Sequence, residues 1–364
     1  VNHIIYISLE PGDFINQSLT EIAIQHNLKS GWINTGKHEK ELRDLFRKKF
    51  LVAHCVAVNN GTAALRASYQ MLGIGHGDEV VTTPYTFIAT NTSLLEQGAI
   101  PVFADIRYGD LNVTAETIEE KLTSKTKAIV IVHYAGNPVD LDEIRALADS
   151  YNVPLIEDSA HALGSNYAGK KCGSLGDASI LSFTPHKIIT SGQGGLVLTD
   201  DETLYNKMYD YKSFNREKDA SDWHKGFGLN FKFTDLQAAL LLSQFNRLDR
   251  LIESKRELFS LYKNSISLSE ERLLEFKEYE TPWFIDFFLT SEESQEVYES
   301  LLMKNDIQVR KGYPPLSKQS MFSDTERTNL SYSEEKAERI IWLPSSTNLS
   351  SEEIDMITNH LQLN

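Results

Sequence analysis

A lysine delivered by the end of a buried strand, with glycines close behind it, can do imine chemistry that a surface lysine cannot. Ser182-Phe183-Thr184-Pro185-His186-Lys187 continues the apolar run Ile180-Leu181, and Gly192-Gln193-Gly194-Gly195 follows within a few residues. Desolvation at such a place lowers an ammonium pKa and makes the amine nucleophilic. Lys187 therefore suits a Schiff base to an aldehyde cofactor; the ordinary alternative is a solvated surface charge. Upstream, Val153-Pro154-Leu155-Ile156 leads into Glu157-Asp158-Ser159-Ala160-His161. Asp158 at that strand end can hold a pyridinium nitrogen, and with Lys187 it suggests pyridoxal 5′-phosphate, whose usual anchors are a lysine imine and an acidic partner for the ring. Asp158 could equally cap a helix or bind a metal with His161. No further His/Cys/Asp cluster supports a metal site, so none is expected. His161 reads as a neighbour of the cofactor ring or as a satisfied core histidine.

Two more strand ends carry chemistry. Asn60-Gly61-Thr62-Ala63-Ala64 follows one apolar run and opens a helix. Backbone N–H groups at a helix N-terminus form a phosphate site, and glycine permits close approach. The plain alternative is a strand-to-helix turn capped by Thr62. Ser182 could add a hydroxyl to the same phosphate. Pro84-Tyr85-Thr86-Phe87 begins another helix; Phe87 could stack on a flat ring or pack in the core.

The elements that must position these residues follow from the pattern. Strands are expected at 55–58, 79–82, 101–104, 128–132, 154–157, 179–183 and 196–199, with helices at 62–72, 89–97 and 141–151. Near-continuous apolar strands separated by helices imply a mostly parallel sheet covered on both faces. Ligands collect at the carboxyl ends of such strands. Residues 235–261 read as one long amphipathic helix leaving a large domain. A strand at 283–289, a helix at 292–304, a short strand at 308–310 and helices at 333–340 and 351–361 then make a smaller C-terminal α/β domain. The expected division is an N-terminal segment and large domain over 1–240, and the long helix and small domain over 241–364. Residues 216–225 are polar and read as a mobile surface loop.

Bulk properties exclude several classes. The 36 basic and 51 acidic residues leave a formal charge of −15, which argues against the basic face that nucleic acid needs. Cys55 and Cys172 alone cannot build a disulfide framework. Residues 1–9 show no basic, apolar leader pattern, and no apolar run reaches membrane-spanning length. A cytoplasmic protein is the expectation.

Together these residues resemble the DegT/StrS family of sugar-nucleotide aminotransferases, pyridoxal phosphate enzymes of fold type I, the aspartate-aminotransferase fold. The resemblance covers nearly the whole chain, including Ser30 through Gly36, Asn60 through Leu65, Leu72 through Val80, the aspartate and lysine motifs, Gly228-Leu229-Asn230 through Ala239, and Tyr313-Pro314-Pro315-Leu316. It implies a seven-stranded sheet, Lys187 as the Schiff-base lysine and Asp158 on the ring nitrogen. It implies Phe87 and His161 against the ring, and Gly61, Thr62, Ala63 and Ser182 at the phosphate. Asn230 would reach the phosphate of a neighbouring subunit, so a homodimer with shared active sites is expected. Thr35, Gly36, Tyr85, His186 and Tyr313 would face substrate. The implied reaction moves nitrogen from L-glutamate or glutamine to a keto group of a nucleotide-linked deoxy sugar, as in polysaccharide biosynthesis. Two features depart from the pattern or test it. Ser317 stands where the family usually has His. His186 lies beside the position where a dehydratase branch has histidine, but Lys187 holds the expected place, fifth after Ser182. A sugar dehydratase and a non-catalytic regulatory or binding member remain the alternatives.

Overall fold

The computed structural model describes residues 17–362, except 108, 218–221, 267–271 and 324–328. The leader expectation for residues 1–9 thus lies outside the described residues, as do 218–221 of the polar loop.

Seven strands form one sheet: β1 (His54–Val58), β2 (Glu79–Thr82), β3 (Ile100–Phe103), β4 (Thr126–Val132), β5 (Leu155–Asp158), β8 (Ala178–Ser182) and β9 (Gly195–Thr199). A two-stranded hairpin, β6 (Asn166–Tyr167) and β7 (Lys170–Lys171), lies between β5 and β8. The sheet order is β1-β9-β8-β5-β4-β2-β3, and only β9 runs against its neighbours. Helices α1 (Gln17–Ser30), α2 (Lys37–Phe50), α3 (Gly61–Met71), α4 (Ala89–Glu96), α5 (Ala115–Glu119), α6 (Leu141–Ser150) and α7 (Glu202–Tyr211) accompany it. Strand alternation explains the apolar runs. Val80, Val130 and Ile156 pack with α3 and α4 residues on one face, and Val81, Ile129, Ile131 and Leu155 pack with α5 and α6 residues on the other.

The expected helix over 235–261 is two helices, α8 (Asp235–Phe245) and α9 (Leu248–Ser265). The chain turns at Asn246 and Arg247, where the Arg247 N–H donates to Gln244 O, three residues back rather than four. Asparagine competes with the helix for backbone hydrogen bonds and favours such ends. The Gln244 side chain is also drawn sideways, accepting from Thr190 N at 3.0 Å and donating to Thr190 O at 2.6 Å. The division expected at residue 240 falls inside α8. Beyond it lie β10 (Ile285–Phe288), α10 (Gln295–Lys304), β11 (Arg310–Lys311), α11 (Ser331–Ala337), β12 (Ile340–Leu343) and α12 (Ser351–Gln362). The helix expected over 333–340 stops at Ala337, and the chain then enters β12, which the sequence pattern did not reveal. β12 is the central strand of an antiparallel sheet ordered β10-β12-β11. Its two faces differ. Ile285, Phe287, Ile341 and Leu343 pack with residues of α9, α10 and α12, whereas Ile340 and Trp342 join the core shared with the large sheet.

Candidate active site

β5, β8 and the turn after β1 end side by side, and their last residues open into one cleft of about 640 Å³. Asp158 is the last residue of β5 and is 4% exposed. Its Oδ2 accepts from the Thr90 hydroxyl at 2.8 Å and its Oδ1 from the Ala160 N–H at 3.1 Å. Burial holds this carboxyl above its ordinary pKa, against the pull of those two donors. Lys187 follows β8 in a tight turn, its N–H donating to Thr184 O. The lysine is half-buried, with Nζ 3.4 Å from the centre of the Trp283 ring. Burial lowers its pKa to about 7, with attraction to Asp158 opposing. A substantial share of free amine therefore exists near neutral pH, which is what a carbonyl-attacking lysine needs.

The loop after Lys187 is braced from α8. Gln244 holds Thr190, and Gln237 Nε2 donates to Gln193 O at 2.7 Å. Trp283 is braced as firmly: its Nε1 donates to His186 O at 2.7 Å, and its backbone N–H to Ala135 O at 2.7 Å. His161 lies against Trp283, with ring centres 4.1 Å apart. Burial, and next the neighbouring Lys187 charge, push the His161 pKa well below its usual value, so the ring is neutral. Its Nδ1 is buried without a hydrogen-bond partner.

At the other end of the cleft, α3 begins against Ser182. Asn60, not Thr62, caps the helix, its Oδ1 accepting from Ala63 N–H at 2.7 Å. This occupies the Ala63 N–H and leaves those of Gly61 and Thr62 at the open helix start. A Cβ on Gly61 would stand 3.0 Å from the Ser182 Cβ and Oγ. Glycine thus lets the helix start and the serine hydroxyl share one small cradle. A nucleophilic amine, a buried carboxylate short of positive charge and an anion cradle at a helix N-terminus together fit a ligand with an aldehyde, a basic ring nitrogen and a phosphate.

Of the residues singled out from the sequence, Lys187, Asp158, His161, Ser182, Gly61, Thr62, Ala63, Phe87, His186 and Tyr313 all line this cleft. Phe87 is 51% exposed, its ring centre 6.2 Å from that of Tyr313. Four others do not line it. Tyr85 is fully buried, packed on Tyr134 with ring centres 5.1 Å apart. A Cβ on Gly312 would stand 2.8 Å from the Tyr85 hydroxyl, so that glycine lets the chain close over the ring. Thr35 and Gly36 sit where α2 meets α8; a Cβ on Gly36 would stand 2.8 Å from Asp235 Cγ. Asn230 is exposed, in a bridge with Ser213, outside the cleft of its own chain. Ser317 is buried, and its hydroxyl donates to Glu334 at 2.9 Å. Thr90, Trp283, Arg310 and Trp342 line the cleft without having been singled out. The aromatic pair Trp283-Phe284 before a strand was the available signal; Thr90 had none.

The sequence matches the DegT/DnrJ/EryC1/StrS aminotransferase family over residues 16–362. The chain belongs to that family. Family members similar to it include a GDP-perosamine synthase of Escherichia coli O157:H7, 35% identical over 329 residues, with 90% of each chain covered. A GDP-perosamine synthase of Vibrio cholerae is 33% identical over 343 residues, covering 91% of this chain and 92% of that one. In structure the chain is similar to Helicobacter pylori PseC, an aminotransferase involved in the biosynthesis of pseudoaminic acid. There the TM-score is 0.87 at 28% identity, with 94% and 95% of the two chains covered. The chain is therefore an aminotransferase with the fold of the sugar aminotransferases, and its family implies pyridoxal phosphate. Neither a dehydratase nor a non-catalytic role is favoured. Among the described residues no helix is long and apolar enough to cross a membrane.

Proposed function

We propose that this enzyme moves an amino group from L-glutamate or glutamine to a keto carbon of a nucleotide-linked deoxy sugar, with pyridoxal 5′-phosphate held on Lys187. The half-buried Lys187 amine, facing the same cleft as the buried Asp158, carries this reading. The names of the two relatives favour a GDP-linked acceptor.

When bound, the cofactor supplies an electron sink for charge developing at the donor's α-carbon. The chain's residues do the rest. Asp158 would hold the ring nitrogen as a cation, and the Thr90 hydroxyl and Ala160 amide keep its two oxygens aimed. Phe87 and His161 would lie against the ring. The Gly61 and Thr62 N–H groups and the Ser182 hydroxyl would take the phosphate, with the occupied Ala63 N–H contributing only helix dipole. Lys187 Nζ is the base that removes the donor's α-proton. In the second half of the cycle it returns a proton to the sugar carbon that receives nitrogen. Trp283 covers one side of that amine, which excludes water from it.

We also infer a homodimer in which Asn230 of each chain reaches the other's phosphate cradle. Its exposure, and that of Trp223 and Phe227 at 67% and 71%, supports a face that a second copy covers. Light scattering that finds an active monomer would overturn this reading. The reaction is tested by supplying cofactor, glutamate and a panel of nucleotide keto-sugars, then identifying products. An aminated sugar nucleotide and 2-oxoglutarate are expected. A deoxygenated sugar formed without glutamate would establish a dehydratase instead.

A further inference from the structure

Behind the aromatic side of the cleft lies a polar cluster that the transamination chemistry does not use. Asp286 of β10 is 1% exposed. Its Oδ1 accepts two hydrogen bonds, from the Tyr134 hydroxyl at 2.8 Å and from Trp342 Nε1 at 2.9 Å. Its Oδ2 has no partner, and burial pushes its pKa up to about 7. Asp286 and Trp342 are direct partners across β10 and β12, while Tyr134 belongs to the turn that follows β4. One carboxylate oxygen therefore ties the small sheet to the large one.

Stability does not explain this arrangement. A buried carboxylate served by two neutral donors is costly, and an apolar residue of similar size is often neutral or better. What the carboxylate fixes is orientation. Trp342 stacks on Phe284 at 4.2 Å, and Phe284 stacks on Trp283 at 3.8 Å, the ring that carries Lys187 Nζ. The Trp342 ring also meets Tyr313 edge-on at 4.7 Å. Turning Trp342 would displace the outer part of this wall, while Trp283 stays pinned beside Lys187 by its own bonds to His186 O and Ala135 O.

We propose that Asp286 is a positioning residue for acceptor specificity: by holding Tyr134 and Trp342 it fixes the aromatic wall on which the acceptor's sugar ring packs. The inference rests on the nucleotide-sugar reading. A sugar ring presents C–H faces that pack on aromatic faces, as apolar pocket walls do for other ligands. A small amino-acid donor needs only to bring its α-carbon to Lys187, whereas the bulkier acceptor extends further along the wall.

The test compares D286L, D286N and W342F in the cofactor-loaded enzyme. D286L, which has no acceptor atom, raises the acceptor KM about tenfold or more. It leaves the glutamate half-reaction, followed by cofactor absorbance, within about twofold. D286N, whose amide oxygen can accept both bonds, restores the acceptor KM to within about threefold of the starting enzyme. The D286L/W342F double variant is no worse than either single change, because both break one unit. An unchanged acceptor KM in D286L, or an equal loss in both half-reactions, overturns the proposal. If D286L does not fold, Y134F replaces it, with the same split expected at smaller size. Near-UV circular dichroism without substrate separates this inference from the substrate assignment. D286L should change the indole bands and D286N should not, with the change absent in a W342F background. Identical spectra for D286L and D286N overturn the positioning role even if no keto-sugar is ever turned over.

Discussion

Glu157 and Asp158 are neighbours on β5, both buried, and strand alternation sends them to opposite faces of the sheet. Glu157 is saturated. It accepts from His133 Nε2 and Ser159 Oγ at 2.8 Å, Ser179 Oγ at 2.6 Å, Leu175 N–H at 2.9 Å and Gly176 N–H at 3.1 Å, and from the Gly173 N–H. Val139 N–H donates to His133 Nδ1, which leaves the proton on Nε2 facing Glu157. Burial alone would raise the Glu157 pKa, but the His133 contact and the other donors carry it down to about 2. Asp158, with two donors and the same burial, goes the other way. Hydrogen-bond supply therefore decides whether a buried carboxylate is part of the frame or keeps affinity for a cation from outside. His133, Glu157 and Cys172 also lie within metal-ligand distance of one another, yet the carboxylate oxygens and both His133 nitrogens are already engaged, so the cluster reads as frame.

Four substitutions test the contrast between Glu157 and Asp158. Lys187→Ala should have the largest effect, removing the amine that faces Asp158. Loss of the proton transfer alone lowers turnover by roughly 10²–10⁴-fold, with the melting curve unchanged. Second is Glu157→Gln, which should leave the site chemistry of the folded enzyme intact and lower stability. A folded pKa near 2 against an ordinary value of 4.5 is worth about 3 kcal/mol above pH ~4.5. Because the folded pKa is depressed, that stability is present above about 4.5 and lost as pH falls toward about 2. The difference between the two proteins in denaturant melts should shrink over that window; a difference independent of pH would contradict the assignment.

Third, Asp158→Asn should keep the fold and slow the glutamate half-reaction. Losing a charge-assisted hydrogen bond costs roughly 1.5–3 kcal/mol, or about 10- to 150-fold. Near-normal single-turnover rates would remove Asp158 from the site. Smallest is Thr90→Val, which deletes one donor to Asp158 Oδ2 and should cost about 1 kcal/mol, roughly fivefold in rate. If Thr90→Val matched Glu157→Gln in its effect on stability, the two faces would not differ as described.

The large sheet was legible because its strands are uninterrupted apolar runs, such as Ala128 through Val132, each followed by polar residues that mark the strand end. Lys187, Asp158, Gly61 and Ser182 were legible for the same reason, since a parallel sheet gathers its strand ends at one edge. What stayed hidden depends on contacts distant in sequence. Thr90 matters only because α4 carries it to Asp158, and Trp283 only because β10 follows it across from Lys187. β12 is four residues, Ile340 through Leu343, directly after a helix, and so short an apolar run has no period of its own. The break at Asn246 and Arg247 was visible in principle, but the apolar pattern continues across it. Tyr85 sits at a strand end like Phe87, yet the absence of a side chain at Gly312 lets it turn inward.

We propose that Lys187, facing Asp158, is the residue that carries the cofactor. Reconstituting the purified enzyme with pyridoxal phosphate, reducing it with borohydride and sequencing the labelled peptide by mass spectrometry tests this most directly. A single phosphopyridoxyl group on Lys187 is expected, in the peptide that contains Ser182 and Phe183. Label on a different lysine, or no label after reconstitution, would contradict it.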